Sequence, residues 1–411
     1  MTIVTRNSDQ DQSKLHYWLF VIPLFLLSFF VITEHLIVVP LSNAISLATG
    51  LPAVRSGLLV AIYPLAAAFS AFVTAPFSDR LGRKKMLLIL GLGFSLATLG
   101  FATSTSVVAL IAFRVITGLF GGPIMATILA FVGDSYQGKE RAQIVTIIML
   151  TFSIASVFAV PMGAWIGDTF GWQMPFYVIS AFGISCFVLI TQLRPVSTGA
   201  EKGNILSQYT ELLALLKLGK VRKIFTLQFF MIIGLFGFVP HISVWLSTNY
   251  GFDSTQIGFC YMQGGIGGII GNTLAGYFMR NGNKERLIIL GSMIMCVFLA
   301  FTTQDILPPS FTGFFFAGLM FGGSMRMPAL QVVLTELIPI HLRGRLMALS
   351  MIVSNITMGL GGIWSLPFLK IENGRLEGMA MIGILGSASL LIVPYLVVVL
   401  KKEIEQSAES Y

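Results

Sequence analysis

Three places in this chain set an ionisable side chain inside an apolar run: Glu34 with His35, Arg114, and Arg326. Each is a costly position, because a charge taken out of water needs a partner, a wet cavity or a proton. A carboxylate beside a guanidinium loads a proton when the two part and releases it when they meet. Glu34 and Arg114 are therefore candidates for proton handling, with His35 next to them. The competing reading is a fixed ion pair that ties two helices together. Arg326 has no evident acidic partner, and such a guanidinium can hold a substrate carboxylate bidentately. Its competing reading is hydrogen bonding to helix carbonyls. The four histidines are scattered, and no Ser/His/Asp set, H-E-x-x-H or phosphate-binding G-x-x-x-x-G-K-[ST] occurs. These absences argue against an enzyme, a cofactor or a nucleotide-driven engine. Cys186, Cys260 and Cys296 lie in apolar runs, as small buried hydrophobes rather than a disulfide or metal set.

The elements that must position these residues are membrane spans. Of 411 residues 55% are hydrophobic and 11% charged, with a mean hydropathy of +0.85, too little charge to clothe a soluble protein of this length. Stretches long enough to cross a ~30 Å hydrocarbon layer are expected near 17–41, 57–78, 86–103, 107–132, 144–167, 174–193, 225–248, 256–278, 287–303, 311–335, 346–369 and 377–400. Helices satisfy the backbone in lipid, and no alternation suggests a barrel. Runs such as Gly264–Gly271 (GGIGGIIG) allow helices to pack closely. The fold class is thus an all-α membrane protein of twelve transmembrane helices.

The net charge of +8 is distributed by topology rather than by a nucleic-acid partner. Of the 26 Lys and Arg, only Arg55, Lys370 and Arg375 fall in loops of one face, and Arg114 and Arg326 lie inside spans. The rest, from Arg6 and Lys14 through Arg80–Lys85, Arg194, Lys202, Arg280 and Arg343 to Lys402, mark the opposite face as cytoplasmic, with both termini inside a plasma membrane. Residues 1–16 form a tail, 17–193 a first six-helix bundle, 194–224 a linker, 225–400 a second bundle and 401–411 a final tail. Ile205–Lys223 in the linker is amphipathic and basic, suited to the inner leaflet or to an ordinary solvated linker. Ala75–Leu90 (APFSDRLGRKKMLLIL) aligns with Ala275–Leu290 (AGYFMRNGNKERLIIL), Gly118-Leu119 recurs as Gly318-Leu319, and Asp134 and Arg141 recur as Glu336 and Arg343. That ordered series indicates two parallel six-helix repeats, an arrangement suited to rocking about a midplane site.

Ser78–Lys85 (SDRLGRKK) resembles the D-R-x-G-R-[KR] signature of the major facilitator superfamily, with Ala75-Pro76 where that family has a Gly-containing pair. Phe113–Gly122 (FRVITGLFGG) is similar to the R-x-x-x-G motif of its proton antiporters. Val160–Trp172 (VPMGAWIGDTFGW) and Thr33–Leu41 (TEHLIVVPL) resemble the arabinose- and purine-efflux permeases, a twelve-span drug and metabolite antiporter branch. The resemblance implies a secondary transporter working by alternating access, with spans 1, 4, 7 and 10 lining a central cavity. It also implies a latch of Asp79, Gly82 and Arg83, with Arg80 and Asp134 beside them, that holds the halves together on the inside in the outward-open state. The equivalent second-half position is Met279, so no full second latch is expected.

Glu34 and Arg114 both lie about seven residues from the outer face, roughly 10 Å deep, so the two can meet. Arg326, Glu34, Tyr63, His241, Gln263 and Gln331 are the candidate substrate residues, and Trp245, Trp364 and Phe236 the further aromatic ones. Gln228, Asn272 and Asn355 are polar residues whose roles, substrate contact or helix bridging, the sequence leaves open. The expected activity is proton-coupled efflux of a small amphipathic compound by a monomer in a lipid bilayer. The alternatives are uptake of an anionic metabolite, for which the embedded arginines speak, and a non-transporting membrane sensor.

Overall fold

A computed structural model describes residues 2–193, 205–279, 282, 284–304, 308–339 and 342–409. Of these, 2–16, 75, 76, 78, 79, 205–208 and 403–409 are described in backbone alone. Arg194, Lys202 and Arg280 of the expected basic face lie outside the described residues, as do the side chains of Arg6, Lys14 and Asp79.

The chain is an all-α membrane protein. Among the described residues, ten helical stretches are long and apolar enough to cross a bilayer. They comprise α1 (Thr2–Thr49), from Tyr17 onward, α2 (Leu58–Leu81), α3 (Arg83–Ala102), α4 (Val107–Gly121) with α5 (Ile124–Ser135), and α6 (Gly138–Ile154) with α7 (Val160–Phe170). Next come α8 (Met174–Thr191), then, after the linker helix α9 (Ile205–Ala214), α10 (Gly219–Phe238) with α11 (Ile242–Tyr250). The last are α13 (Lys284–Thr302), α15 (Arg343–Trp364), and α16 (Met379–Leu391) with α17 (Val393–Glu409). Two more helices, α12 (Ser254–Met279) and α14 (Thr312–Glu336), run 26 and 25 residues, enough to cross, but dilute their apolar surface with glycine and with Gln263, Asn272, Arg326 and Gln331. Twelve crossing helices are consistent with these lengths.

The first expected span stops at Leu41, whereas α1 runs through Pro40 to Thr49. Pro40 removes one backbone donor, but the turn beyond it is held by packing: Ile45 is fully buried, and the Thr49 hydroxyl donates to the Ile45 carbonyl at 2.7 Å. Between α2 and α3 only Gly82 intervenes, at φ 85°, a left-handed turn that a side chain would strain. Gly282 has φ 74° at the equivalent point of the second repeat.

α12 and α14 pack along glycines. A Cβ on Gly267 would run into the backbone of Ala317, and one on Gly271 into that of Phe321, so the close approach depends on their absence. Helices of the two halves meet at the end away from the basic loops. There Gly359 and Gly362 of α15 lie on Ala61 and Leu65 of α2, and Gly258 of α12 lies on Pro161 and Ala164 of α7. The Ser243 hydroxyl of α11 donates to the Pro40 carbonyl at 2.9 Å. Toward the basic end α9 bridges the halves. Tyr209 donates to the Val73 carbonyl of α2 at 3.0 Å, and Glu211 pairs with Arg345 of α15 at 2.5 Å.

A candidate functional site in the first bundle

Arg114 sits two turns into α4, a helix started by Ser106, whose hydroxyl accepts from the Ala109 N–H at 3.2 Å. One and two turns on, along the same face, are Gly118 and Gly122. A Cβ on Gly118 would lie 2.6 Å from the Tyr63 carbonyl, and one on Gly122 2.5 Å from Ala67 Cβ, so these glycines let α2 come close. That approach brings the Leu59 carbonyl of α2 within 2.6 Å of Arg114 Nε. Arg114 Nη1 donates to Glu34 Oε1 of α1, and both side chains are fully buried. The Tyr63 ring lies under the guanidinium, 4.7 Å from ring centre to Cζ, and His35 packs on the same ring with centroids 4.5 Å apart. Glu34, Arg114, Tyr63 and His35 thus form one cluster held by α1, α2 and α4.

The cluster is incompletely satisfied. Glu34 Oε2, Arg114 Nη2, His35 Nδ1 and Thr33 Oγ1 are buried and have no hydrogen-bond partner among the described residues. A buried donor or acceptor left so costs on the order of 1–3 kcal/mol, which a stable scaffold would be expected to avoid.

The remaining candidates lie elsewhere. Arg326 is buried in the second bundle and donates to the Ser292 hydroxyl of α13 at 3.2 Å and to the Met231 carbonyl of α10. Among the described residues it has no acidic partner, and its Nε has no acceptor. These are the contacts of a residue bridging α10, α13 and α14, the carbonyl-bonding alternative that its sequence position left open. His241 is buried where the halves meet, 2.8 Å from the Ser365 hydroxyl and against Gly57. Gln263 packs on Gly313 at the start of α14, and Gln331 is exposed farther along that helix. Gln228 is a bridge to α15, donating to the Ser350 carbonyl at 2.8 Å and accepting from the Ser350 hydroxyl at 3.0 Å. Asn355 donates to Met351 of its own helix at 3.0 Å, and the Trp364 indole to Ile233 at 3.4 Å. Trp245 packs edge-on against Phe238 and Tyr250. Cys186, Cys260 and Cys296 are buried free thiols.

At the basic end, Arg83 pairs with Asp134 at 2.9 Å, which joins the first residue of α3 to the end of α5 within one bundle. Asp79 lies in the last turn of α2, and Lys84 caps α8 through the Thr191 carbonyl at 2.6 Å. In the second bundle Lys284, the repeat counterpart of Lys84, pairs with Glu336, the counterpart of Asp134, so the link is made one position later than the Arg83–Asp134 pair of the first bundle. The recurrence of Asp134 as Glu336 and of Lys84 as Lys284 is the sequence signal of that pair.

The family profile described as Major Facilitator Superfamily matches residues 24–362, and the chain belongs to that superfamily. It is 26% identical to the uncharacterized MFS-type transporter YceJ of Bacillus subtilis (strain 168), over 72% of this chain and 75% of that one. Multidrug resistance protein 2 of the same organism is 28% identical over 60% of this chain and 63% of its own. In fold the chain is similar to the nucleoside transporter NupG, with a TM-score of 0.74 at 13% identity, covering 93% of this chain and 99% of that one. The protein is a multi-pass membrane transporter and not an enzyme.

Proposed function

We propose that this transporter exports small amphipathic compounds in exchange for protons, with Glu34 as the proton site and Arg114 as its switch. The observation that carries the reading is the buried Glu34–Arg114 pair, which joins two helices and leaves one oxygen and one nitrogen unpartnered among the described residues. A pair meant only to join α1 and α4 would gain by satisfying both. When α1 and α4 shift apart, the carboxylate loses its countercharge in a poorly hydrated place and takes a proton. When they close, the guanidinium expels it. One site alternating in this way is what antiport requires. Tyr63 and His35 would form the wall on which an apolar or aromatic part of the substrate rests. Multidrug resistance protein 2 is a relative whose name speaks for efflux.

In this reading both termini are cytoplasmic and the basic loops face inward. The halves touch at the outer end, so the described conformation is closed to the outside, and opening it separates α2 from α15 and α7 from α12. Asp79, Gly82 and Arg83, with Arg80 and Asp134, act at the inner end in the opposite state. Reconstituted protein tests the reading: an imposed pH gradient should drive counterflow of a labelled lipophilic drug. Drug movement that ignores the gradient would leave a uniporter.

A further inference from the structure

Asp168, near the end of α7 in the first bundle, reaches across to the start of α12 in the second. Its Oδ2 accepts from the Thr255 N–H at 2.6 Å and from the Thr255 hydroxyl at 2.5 Å. The start of α12 has a cap of its own. Asp253 Oδ1 accepts from the Gln256 N–H at 2.7 Å, and Gln256 Oε1 accepts from the Asp253 N–H at 3.1 Å, a reciprocal capping box. That box secures the third helical N–H and leaves the second, that of Thr255, without an acceptor inside the helix. Asp168 supplies it from the other bundle and adds a carboxylate at the positive end of the helix. Since α12 is already capped from within, the Asp168 bond is not needed to form it. Its effect is to join bundle to bundle.

The bond stands at the edge of a tightly packed seam. A Cβ on Gly258 would lie 2.9 Å from Ala164 Cβ, and one on Gly265 2.9 Å from Val157. These glycines are two turns apart on the face of α12 that meets α7 and the turn just before it. A seam of this kind holds by surface contact and parts without breaking buried polar bonds. Asp168 and Thr255 lie at its mouth, where water can replace each partner when the seam opens.

We infer that Asp168 is a gate residue of the transport cycle, whose bond to the start of α12 holds this face shut and breaks each time the face opens. The inference rests on the alternating-access part of the proposed function and not on the proton at Glu34. The test uses full-length protein in liposomes, with Cys186→Ala, Cys260→Ala and Cys296→Ala, and with Ala164→Cys as reporter beneath the gate. A membrane-impermeant maleimide is added from the side that carries residues 52 and 371. Adding Asp168→Ala should speed labelling of the reporter by at least about threefold, the scale of a lost charge–helix contact, and Asp168→Asn should fall between. Unchanged, measurable labelling in Asp168→Ala overturns the gate alone. Lower folded yield with unchanged labelling per folded molecule also overturns it, as the mark of a merely structural contact. A reporter that stays unlabelled in every variant, with or without a pH gradient, overturns the gate together with alternating access at this face.

Discussion

Arg114 divides its guanidinium between two helices, giving Nη1 to the Glu34 carboxylate of α1 and Nε to the Leu59 carbonyl of α2, 2.6 Å away. A single side chain on α4 therefore senses the positions of both neighbours. Movement of α1 alone would free Glu34 while Leu59 keeps the arginine in place. This asymmetry makes the pair a workable proton switch, since only one of the two charges has to move.

The proton site is tested by Glu34→Gln, which keeps shape and hydrogen bonding and removes the titratable charge. Transport driven by a pH gradient in proteoliposomes should fall to background, while exchange of labelled for unlabelled substrate continues. Full proton-driven transport by well-folded Glu34→Gln would move the site to His35 or Asp134.

Arg114→Ala should be far worse for folding than Glu34→Gln. It strands a fully buried carboxylate, and breaking a buried pair in this way costs about 3–5 kcal/mol. The expected result is a large drop in melting temperature and in monodisperse yield. Adding Glu34→Gln to Arg114→Ala should recover part of the loss. Independent, additive losses would show that the two residues are not coupled.

Gly118→Val should disable the site without touching any charge. Its side chain would collide with the Tyr63 carbonyl, push α2 from α4 and lengthen the Arg114–Leu59 bond. Substrate affinity and gradient-driven rate should both fall, whereas the same change at Gly276, where a Cβ meets nothing within 4 Å, should be silent. Equal effects at the two positions would count against a packing cause.

At the basic end, Asp79→Asn should slow transport while leaving expression and substrate binding largely intact, because a latch shifts populations rather than making the site. Glu336→Gln should do less. Its bond to Lys284 is partly exposed, and exposed pairs contribute under about 1 kcal/mol. Wild-type rates in Asp79→Asn would leave the motif a topological role only.

Orientation has its own check. Cysteines at positions 52 and 371 should react with impermeant reagent on intact cells, and those at 84 and 220 only after permeabilisation. Reaction at 84 from outside would invert the topology.

Much of this was legible in the sequence for one physical reason: lipid leaves the backbone no solution but helices, so span length and fold class follow from apolar run length. The meeting of Glu34 with Arg114 was legible too, since their estimated depths match and a buried charge needs a partner. The surroundings of that pair were not. These helices are apolar on nearly every side, so periodicity does not say which face points inward. For Arg326 the sequence left a substrate carboxylate and helix carbonyls both open, and the rotation of α14 sets it against Ser292 and Met231. Arg83 reaches Asp134 because α3 packs against α5, a meeting that chain order does not show. The chemistry available and its depth in the membrane were thus determined by the sequence alone. Partner choice was decided by the tertiary structure, because partners depend on how far each helix turns about its axis and how closely glycines such as Gly118 and Gly258 let its neighbours approach.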